Sequence, residues 1–172
     1  KYEYSKISQI SISRNHSEKF SFLKPSIDLR YDQNPQNQFQ FSVRRDVSQL
    51  DFNDFAASID EDDIFFGGNQ NLVPEKSWDF EVSYERRFLN DQGHIKFGLE
   101  HRRISDHIEF IEVAPNVAGV GNVGSATQNT ASISTSLKFG FIGLENVVLD
   151  GSFEIFDTNT IDAFTRNHRD IN

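Results

Sequence analysis

The amino-acid sequence predicts an all-β fold, an antiparallel up-and-down meander of about seven strands. Three observations lead to this prediction. Side chains alternate between apolar and polar over segments of strand length, short turns alternate with long connections along the chain, and no apolar run approaches the ~18 residues that a transmembrane helix needs. An aromatic share of 13%, with 17 phenylalanines, favours strands further.

The alternation is clearest in Trp78 to Glu85, where every second side chain is Trp, Phe, Val or Tyr and the intervening ones are Asp, Glu or Ser. This pattern is typical of a strand with one apolar and one polar face. Seven such strands are predicted: Lys6 to Ser13, Pro25 to Tyr31, Gln38 to Arg44, Trp78 to Glu85, His94 to Arg102, Ser132 to Phe139 and Val147 to Phe156.

The connections between these strands differ in length. Residues 32–37, 89–93 and 140–146 are short turns rich in Asn, Gln or Gly, whereas Arg45 to Ser77 and Glu112 to Asn129 are long connections. Outer-membrane barrels have short periplasmic turns and long extracellular loops. The asymmetry therefore favours a piece of a large transmembrane barrel over a soluble sandwich, in which the strands also alternate.

Composition narrows the possible partners and cofactors. The net charge of −9 argues against a nucleic-acid partner, because phosphate contacts require clustered Lys and Arg. The chain has no cysteine, so it offers neither a disulfide framework nor a thiolate metal site. We expect no cofactor.

One stretch, Gly67 to Glu85, carries a family resemblance. Its core, Leu72-Val73-Pro74-Glu75-Lys76-Ser77 followed by a strand that ends in Tyr84-Glu85, resembles a signature of TonB-dependent receptors. Three further stretches resemble strand segments of the same family: Leu23 to Ile27, Ser42 to Arg45 and Arg103 to Ile108. Two positions depart from the usual pattern, because Gln70 replaces a proline and Ser83 replaces a frequent glycine.

The resemblance implies a share in nutrient import across the outer membrane of a Gram-negative bacterium, such as uptake of a ferric siderophore. The implied partners are outer-membrane lipid, a small nutrient ligand, and a TonB-type energy-coupling protein that acts through a plug domain. We expect residues 1–172 to be one partial barrel domain that contains no plug, no signal peptide and no barrel C-terminus.

Two sets of side chains are candidates for this function. In the loop Val47 to Lys76, four phenylalanines are available to grip a bulky ligand: Phe52, Phe55, Phe65 and Phe66. On the polar faces of the strands, the expected lumen-facing residues are Arg44, Glu81, Glu85, Glu100 and Arg102. We expect the carboxylates among them to pair with Arg44 or Arg102, or to contact the plug, rather than to form a catalytic acid–base pair. The chain is therefore predicted not to be an enzyme.

Other motifs favour structural interpretations. Gly119 to Gly124 matches a dinucleotide fingerprint, but a Ser/Thr-rich stretch follows in place of a helix, so a flexible extracellular loop is expected. The acidic cluster Asp60 to Asp63 lacks the Gly and Glu of a calcium loop and is expected to be solvated. The five histidines are expected to be surface or lumen residues rather than metal ligands: His16, His94, His101, His107 and His168.

Two questions remain open from the sequence alone. Aromatic residues near strand ends form either interfacial girdles or ordinary packing in a soluble sheet: Phe20, Phe22, Tyr31, Trp78 and Phe88. The alternative function is a soluble secreted or periplasmic β-sandwich that binds carbohydrate on aromatic platforms. The two differ in whether apolar residues such as Ile27, Phe41, Val82 and Leu99 face lipid or form a core.

Overall fold

A computed structural model describes residues 2–10, 15–50, 54, 58–59, 65–115, 117–162, 165 and 167–170. Of residues 2–10, 15–20, 58–59 and 65–66, only the backbone belongs to this description. The strands are β1 (Tyr2–Ile10), β2 (Asn15–Leu23), β3 (Ser26–Asn34), β4 (Asn37–Val47), β5 (Ser58–Ile59), β6 (Phe65–Gly67), β7 (Lys76–Phe88), β8 (Gly93–Ala114), β9 (Val117–Lys138), β10 (Val148–Ile161) and β11 (His168–Arg169).

These strands form one large antiparallel meander. Its order is β11-β10-β9-β8-β7-β4-β3, while β1 and β2 pair with each other in a separate sheet. The short strands β5 and β6 leave the meander between β4 and β7, and β6 pairs in parallel with β9. A single turn of 3-10 helix, Phe139–Ile142, links β9 to β10. No helix in the described ranges is long and apolar enough to cross a membrane. The predicted all-β meander is confirmed.

The pairing register aligns the apolar side chains of successive strands into rows. The central row consists of Leu29, Phe41, Val82, Leu99, Ala131 and Ile155. Leu29 is 60% exposed and Leu99 is 64% exposed, so no second sheet covers this face in the described residues. We call this set of rows the apolar band and the opposite side of the sheet the polar face.

The apolar band drifts along the strands as it crosses the sheet. On β4 it runs from Phe39 to Val43, whereas on β10 it runs from Leu149 to Ile155. Residue 155 pairs through Ala131 and Leu99 with Val82, which lies opposite Phe41 in the middle of the β4 band. The band on β10 is therefore centred closer to the short turns, as happens when tilted strands cross a level layer.

Two sequence predictions about connections were wrong. The stretch Glu112 to Asn129, expected to be a long loop, is almost entirely strand, because β8 and β9 each extend over 22 residues and remain paired up to Ala114 and Val117. Gly119 to Gly124 consequently lies within β9 rather than in a flexible loop. In addition, β2 was not predicted at all, since its side chains alternate poorly outside a short aromatic segment.

Candidate functional site

A segment of the β4–β7 loop packs on the β8–β9 hairpin, on the half that contains the connection between the two strands. We call residues 65–75 the docked segment. Its first strand, β6, pairs with Ala118 and Gly119 of β9. Further along, the Asn69 side-chain amide donates to the carbonyl oxygen of Val120 at 3.0 Å. The first part of the docked segment is therefore held against β9 by both backbone and side-chain contacts.

The motif that resembles the receptor signature supplies most of this attachment. Leu72 is only 1% exposed, and Pro74 is also buried. Asn122 of β9 brackets the residue between them: its amide oxygen accepts from the backbone N–H of Val73 at 3.0 Å, and its amide nitrogen donates to the Val73 carbonyl at 2.9 Å. The same amide nitrogen lies 2.6 Å from the carbonyl oxygen of Asp106. One asparagine thus ties the docked segment to both strands of the hairpin.

Glycines allow the backbones to approach closely here. A Cβ atom on Gly119 would lie within contact distance of the Gly67 carbonyl oxygen, and one on Gly67 would lie 2.5 Å from a methyl group of Val113. A Cβ on Gly121 would overlap the side chain of Ile111. The glycine spacing that resembles a dinucleotide fingerprint is therefore explained by close packing of strands.

The docked segment ends in a charged cluster around His107. The Glu75 carboxylate accepts from His107 Nδ1 at 2.7 Å and from the backbone N–H of Ile108 at 3.2 Å. On the other side of the ring, His107 Nε2 lies 3.4 Å from Glu109, close enough for an ion pair but without a hydrogen bond. Glu109 also binds Arg169 at 2.6 Å, which extends the cluster to β11.

These contacts shift both titrating groups, which lie beyond the apolar band. The hydrogen bond to Glu75 raises the pKa of His107, against the opposing effect of burial. Burial alone would raise the pKa of Glu75, but the hydrogen bonds from His107 and Ile108 outweigh it, so the Glu75 pKa is lowered. The contribution of His107 to stability is complete below about pH 6.5 and is lost as pH rises through its raised pKa. That of Glu75 is complete above about pH 4.3 and is lost as pH falls through its lowered pKa.

We therefore expect the docked segment to loosen as the pH rises past the pKa of His107. Amide hydrogen exchange of residues 67–75, corrected for intrinsic rates, should become about three- to tenfold faster between pH 5.5 and pH 8. His107→Gln should abolish this dependence, because glutamine carries no titrating charge. His101→Gln is the control, since His101 hydrogen bonds Asn129, at 2.7 Å, and not the segment. A pH dependence that persists in His107→Gln would contradict the prediction.

The polar face carries a series of ion pairs. The pairs are Arg30–Asp32 (3.0 Å), Arg44–Asp28 (3.8 Å), Arg87–Glu85 (2.8 Å), Lys96–Glu81 (3.9 Å) and Arg102–Asp79 (2.6 Å). All five residues proposed from the sequence as lumen-facing, Arg44, Glu81, Glu85, Glu100 and Arg102, lie on this face.

Their partners differ from the expected ones. Only Glu100 approaches Arg102, at 4.0 Å, whereas Glu81 and Glu85 pair with lysine and arginine residues closer to them on the face. Arg44 lies instead 3.8 Å from Asp28, an aspartate on the neighbouring strand β3. On one face of a sheet, the nearest neighbours are residues two apart on the same strand and residues directly opposite on the next strand. Sequence spacing alone did not show which charged residues would be opposite one another.

The proposed ligand-gripping phenylalanines divide into two groups. Phe52 and Phe55 lie outside the described residues, as does the acidic cluster Asp60 to Asp63. Phe65 and Phe66 lie in β6, so that their backbone belongs to the docked segment beside β9. Their role in ligand contact stays a prediction.

Within the described ranges, His101 and His107 belong to no group of side chains that could hold a metal ion. A β-bulge at Asp106, whose φ is +57°, interrupts the alternation between His101 and His107. The docked segment's contacts with His107 were not predicted from the sequence. The signal available was the apolar character of Leu72, Val73 and Pro74, for which burial is expected.

Comparison with known families adds the deciding observation. Residues 1–169 match the model of the outer membrane protein beta-barrel family. The chain belongs to this family. No curated protein matches the chain.

Membership in the outer membrane protein beta-barrel family assigns the two faces of the sheet. Barrels of this kind face lipid with their apolar side chains and enclose a polar interior, which accounts for the exposure of the apolar band. The alternative of a soluble sandwich is thereby overturned, because a sandwich would bury Ile27, which is 58% exposed, inside a core. From Trp78 to Phe88 the strand advances about 33 Å, or roughly 25 Å along the membrane normal at a tilt near 40°. We therefore expect these two aromatic residues to lie near the two membrane boundaries on β7.

Proposed function

We propose that this outer-membrane barrel protein forms part of the wall and the extracellular ligand-collecting surface of a TonB-dependent receptor that imports a scarce nutrient such as a ferric siderophore. The observation that carries the proposal is the docked segment. The stretch that resembles the receptor signature, Leu72 to Glu75, is the part that fixes the long loop to the β8–β9 hairpin. Of the loop phenylalanines, Phe65 and Phe66 thereby have their backbone beside β9 at the long-loop end of the sheet.

The shape of the sheet supports a larger barrel. Within the described residues the meander runs from β3 to β11, and no ladder joins these two edges. The polar face carries alternating charges that are half-exposed to exposed, as expected of a wall that lines a wide interior. Large barrels of 22 strands hold a plug in that interior, and a plug is the element on which a TonB-type energy-coupling protein acts.

The test replaces the four loop phenylalanines, Phe52, Phe55, Phe65 and Phe66, by alanine in the full-length protein, expressed in the outer membrane of a strain without other iron-uptake receptors. We expect binding of a panel of labelled ferric siderophores to weaken by at least about tenfold for the transported member, since aromatic contacts contribute about 0.5–1.5 kcal/mol each. Uptake by the parent should stop when the membrane is de-energised.

The matched control replaces Phe139 and Phe141, which stack at 6.0 Å in the short turn at the opposite end of the sheet. This variant should bind and import normally. Binding that is unchanged by the loop replacements would contradict ligand contact by the loop. Uptake that continues without energisation would contradict the TonB-dependent class while leaving the outer-membrane barrel intact.

A further inference from the structure

Three arginine pairs adjacent in sequence place one guanidinium on each face of the sheet. On the polar face Arg44, Arg87 and Arg102 each have a carboxylate partner within 4 Å. The adjacent arginines face lipid: they are Arg45, Arg86 and Arg103. None of these three has an acidic partner among the described residues. Charged side chains on a lipid-facing surface are costly near the middle of the membrane and are tolerated near its boundaries, so the position of these arginines is informative.

Arg45 and Arg103 lie in the same row, on either side of Trp78. Trp78 pairs with Arg45 on one side and with Arg103 on the other. Their Cα atoms are therefore about 10 Å apart, two strand spacings. The Arg45 guanidinium lies over the Trp78 ring at 5.9 Å, and its Nε is buried without a hydrogen-bond partner. The row is thus a pair of cations around an aromatic ring, with at least one donor unused.

This row lies at the edge of the apolar band nearest the long loops. Directly toward the band, a groove of about 510 Å³ runs along the lipid-facing surface. Its apolar walls are Phe80, Val82, Leu99 and Ile155, and Ala131 forms its floor as the smallest side chain of the central row. Trp78 stacks on Phe80 at 6.4 Å, so the groove begins where the arginine row ends.

We propose that Arg45, Trp78 and Arg103 bind the phosphate-bearing headgroup of a lipid in the outer leaflet, with one of its acyl chains in the groove. The guanidinium group is suited to phosphate because its forked donors match two phosphate oxygens. An apolar groove that continues from the cationic row fits an acyl chain attached to that phosphate. The long loops of such barrels are extracellular, which assigns the site to the outer leaflet. The site rests on the family's membrane placement and not on nutrient import.

The charges around the groove give it a direction. His101 and Asn129, hydrogen bonded to each other, line its rim, and the carboxylate of Asp157 closes the side on β10. Asp157 lies three strands from β7 and would repel a phosphate placed there. The anionic headgroup consequently binds at the β4–β8 end, where the arginines are.

The only tryptophan of the chain lies within the site and reports its occupancy. The full chain, folded in non-ionic detergent micelles, is titrated with phosphatidic acid that carries brominated acyl chains, because bromine quenches indole fluorescence on contact. Dibrominated diacylglycerol, which lacks the phosphate, is the matched probe. Trp78→Phe supplies the background signal.

We expect phosphatidic acid to quench Trp78 at a far lower mole fraction than diacylglycerol. Arg45→Gln with Arg103→Gln should raise the half-quenching mole fraction about 25-fold, since each arginine at a membrane surface contributes about fivefold in affinity for an anionic lipid. Arg86→Gln, which removes the unpaired lipid-facing arginine at the other end of the sheet, should leave it within about twofold. Arg45→Lys with Arg103→Lys, which keeps the charge and tests that the fold is intact, should recover most of the affinity.

Three results would overturn the proposal. Equal quenching by both probes would show that Trp78 merely contacts bulk lipid. An equal loss in Arg86→Gln would show that any lipid-facing arginine attracts the anionic lipid and that no specific site exists. Displacement of the lipid by soluble glycerol 3-phosphate at similar concentration would assign the arginines to a free phosphate ester instead of a lipid.

Discussion

Leu99→Arg is expected to destabilise the membrane-inserted barrel by about 2–4 kcal/mol, the cost of an arginine on the lipid face near the membrane midplane. Leu99 lies in the central row of the apolar band and is 64% exposed on that face. The substitution removes no packed core, because no second sheet covers the residue within the described part of the chain. The whole effect therefore measures contact of this position with lipid. Urea titration of the protein in phospholipid vesicles, followed by Trp78 fluorescence, provides the free energy of unfolding.

Thr130→Arg is the matched control for this substitution. Thr130 lies opposite Glu100 in the register, on the polar face, where a new arginine gains a carboxylate neighbour. We expect a change of less than about 1 kcal/mol, as for exposed ion pairs. If both arginines destabilise equally, or neither does, then the two faces of the sheet do not differ in environment and the assignment of the apolar band to lipid is wrong.

Gly119→Ala is expected to detach the docked segment from the hairpin. The added methyl group would collide with the carbonyl oxygen of Gly67, and backbone cannot move aside as a flexible side chain can. Overpacking of this kind costs about 1–3 kcal/mol. That cost falls on docking and not on the barrel wall, since Gly119 lies beyond the apolar band. Limited proteolysis should therefore cut within the loop between β4 and β7 about five- to a hundredfold faster.

The control for Gly119→Ala is Gly151→Ala on β10. There an added Cβ would meet only the Thr135 methyl group at 3.6 Å, an ordinary contact. Proteolysis of the loop should remain as in the parent chain, and heat-induced unfolding of the barrel should be unchanged in both variants. A loop in Gly119→Ala that stays as resistant as in the parent would show that the parallel β6–β9 contact does not hold the segment.

The sequence revealed the strands only where the membrane imposes a pattern. Predicted strands such as Trp78 to Glu85 agree with the structure because each lipid-facing side chain must be apolar and each interior one polar. Beyond the membrane both faces meet water or other loops, so the alternation ends although the ladder continues. Gly119 to Gly124 was therefore assigned to a loop, and the 22-residue lengths of β8 and β9 were underestimated.

The candidate site was predicted in part. The resemblance around Leu72 to Glu75 identified the segment that matters, but its partner His107 comes from 32 residues away, and a bulge at Asp106 orients that histidine. Local spacing contains no information about such a contact. The lipid-facing arginines Arg45 and Arg103 were also missed, because the predicted strands ended one residue earlier, at Arg44 and Arg102. The pairing of both arginines with Trp78 places them on the apolar face.

The drift of the apolar band changes how polar residues on its edge should be interpreted. Counted by register, His101, Asn129 and Asp157 stand in the same row as Ile27 and Val43, and they look like polar breaches of a hydrophobic belt. When the strands are tilted, however, paired residues do not share one depth in the membrane. Their position shifts toward the extracellular side from β3 to β10. The residues of this row on β8, β9 and β10 therefore lie at the membrane boundary, while those on β3 and β4 still lie within the membrane. The apolar band is thus parallel to the membrane although it is oblique to the pairing register. How well a substitution is tolerated should therefore depend on the depth of the residue in the membrane and not on its row in the register.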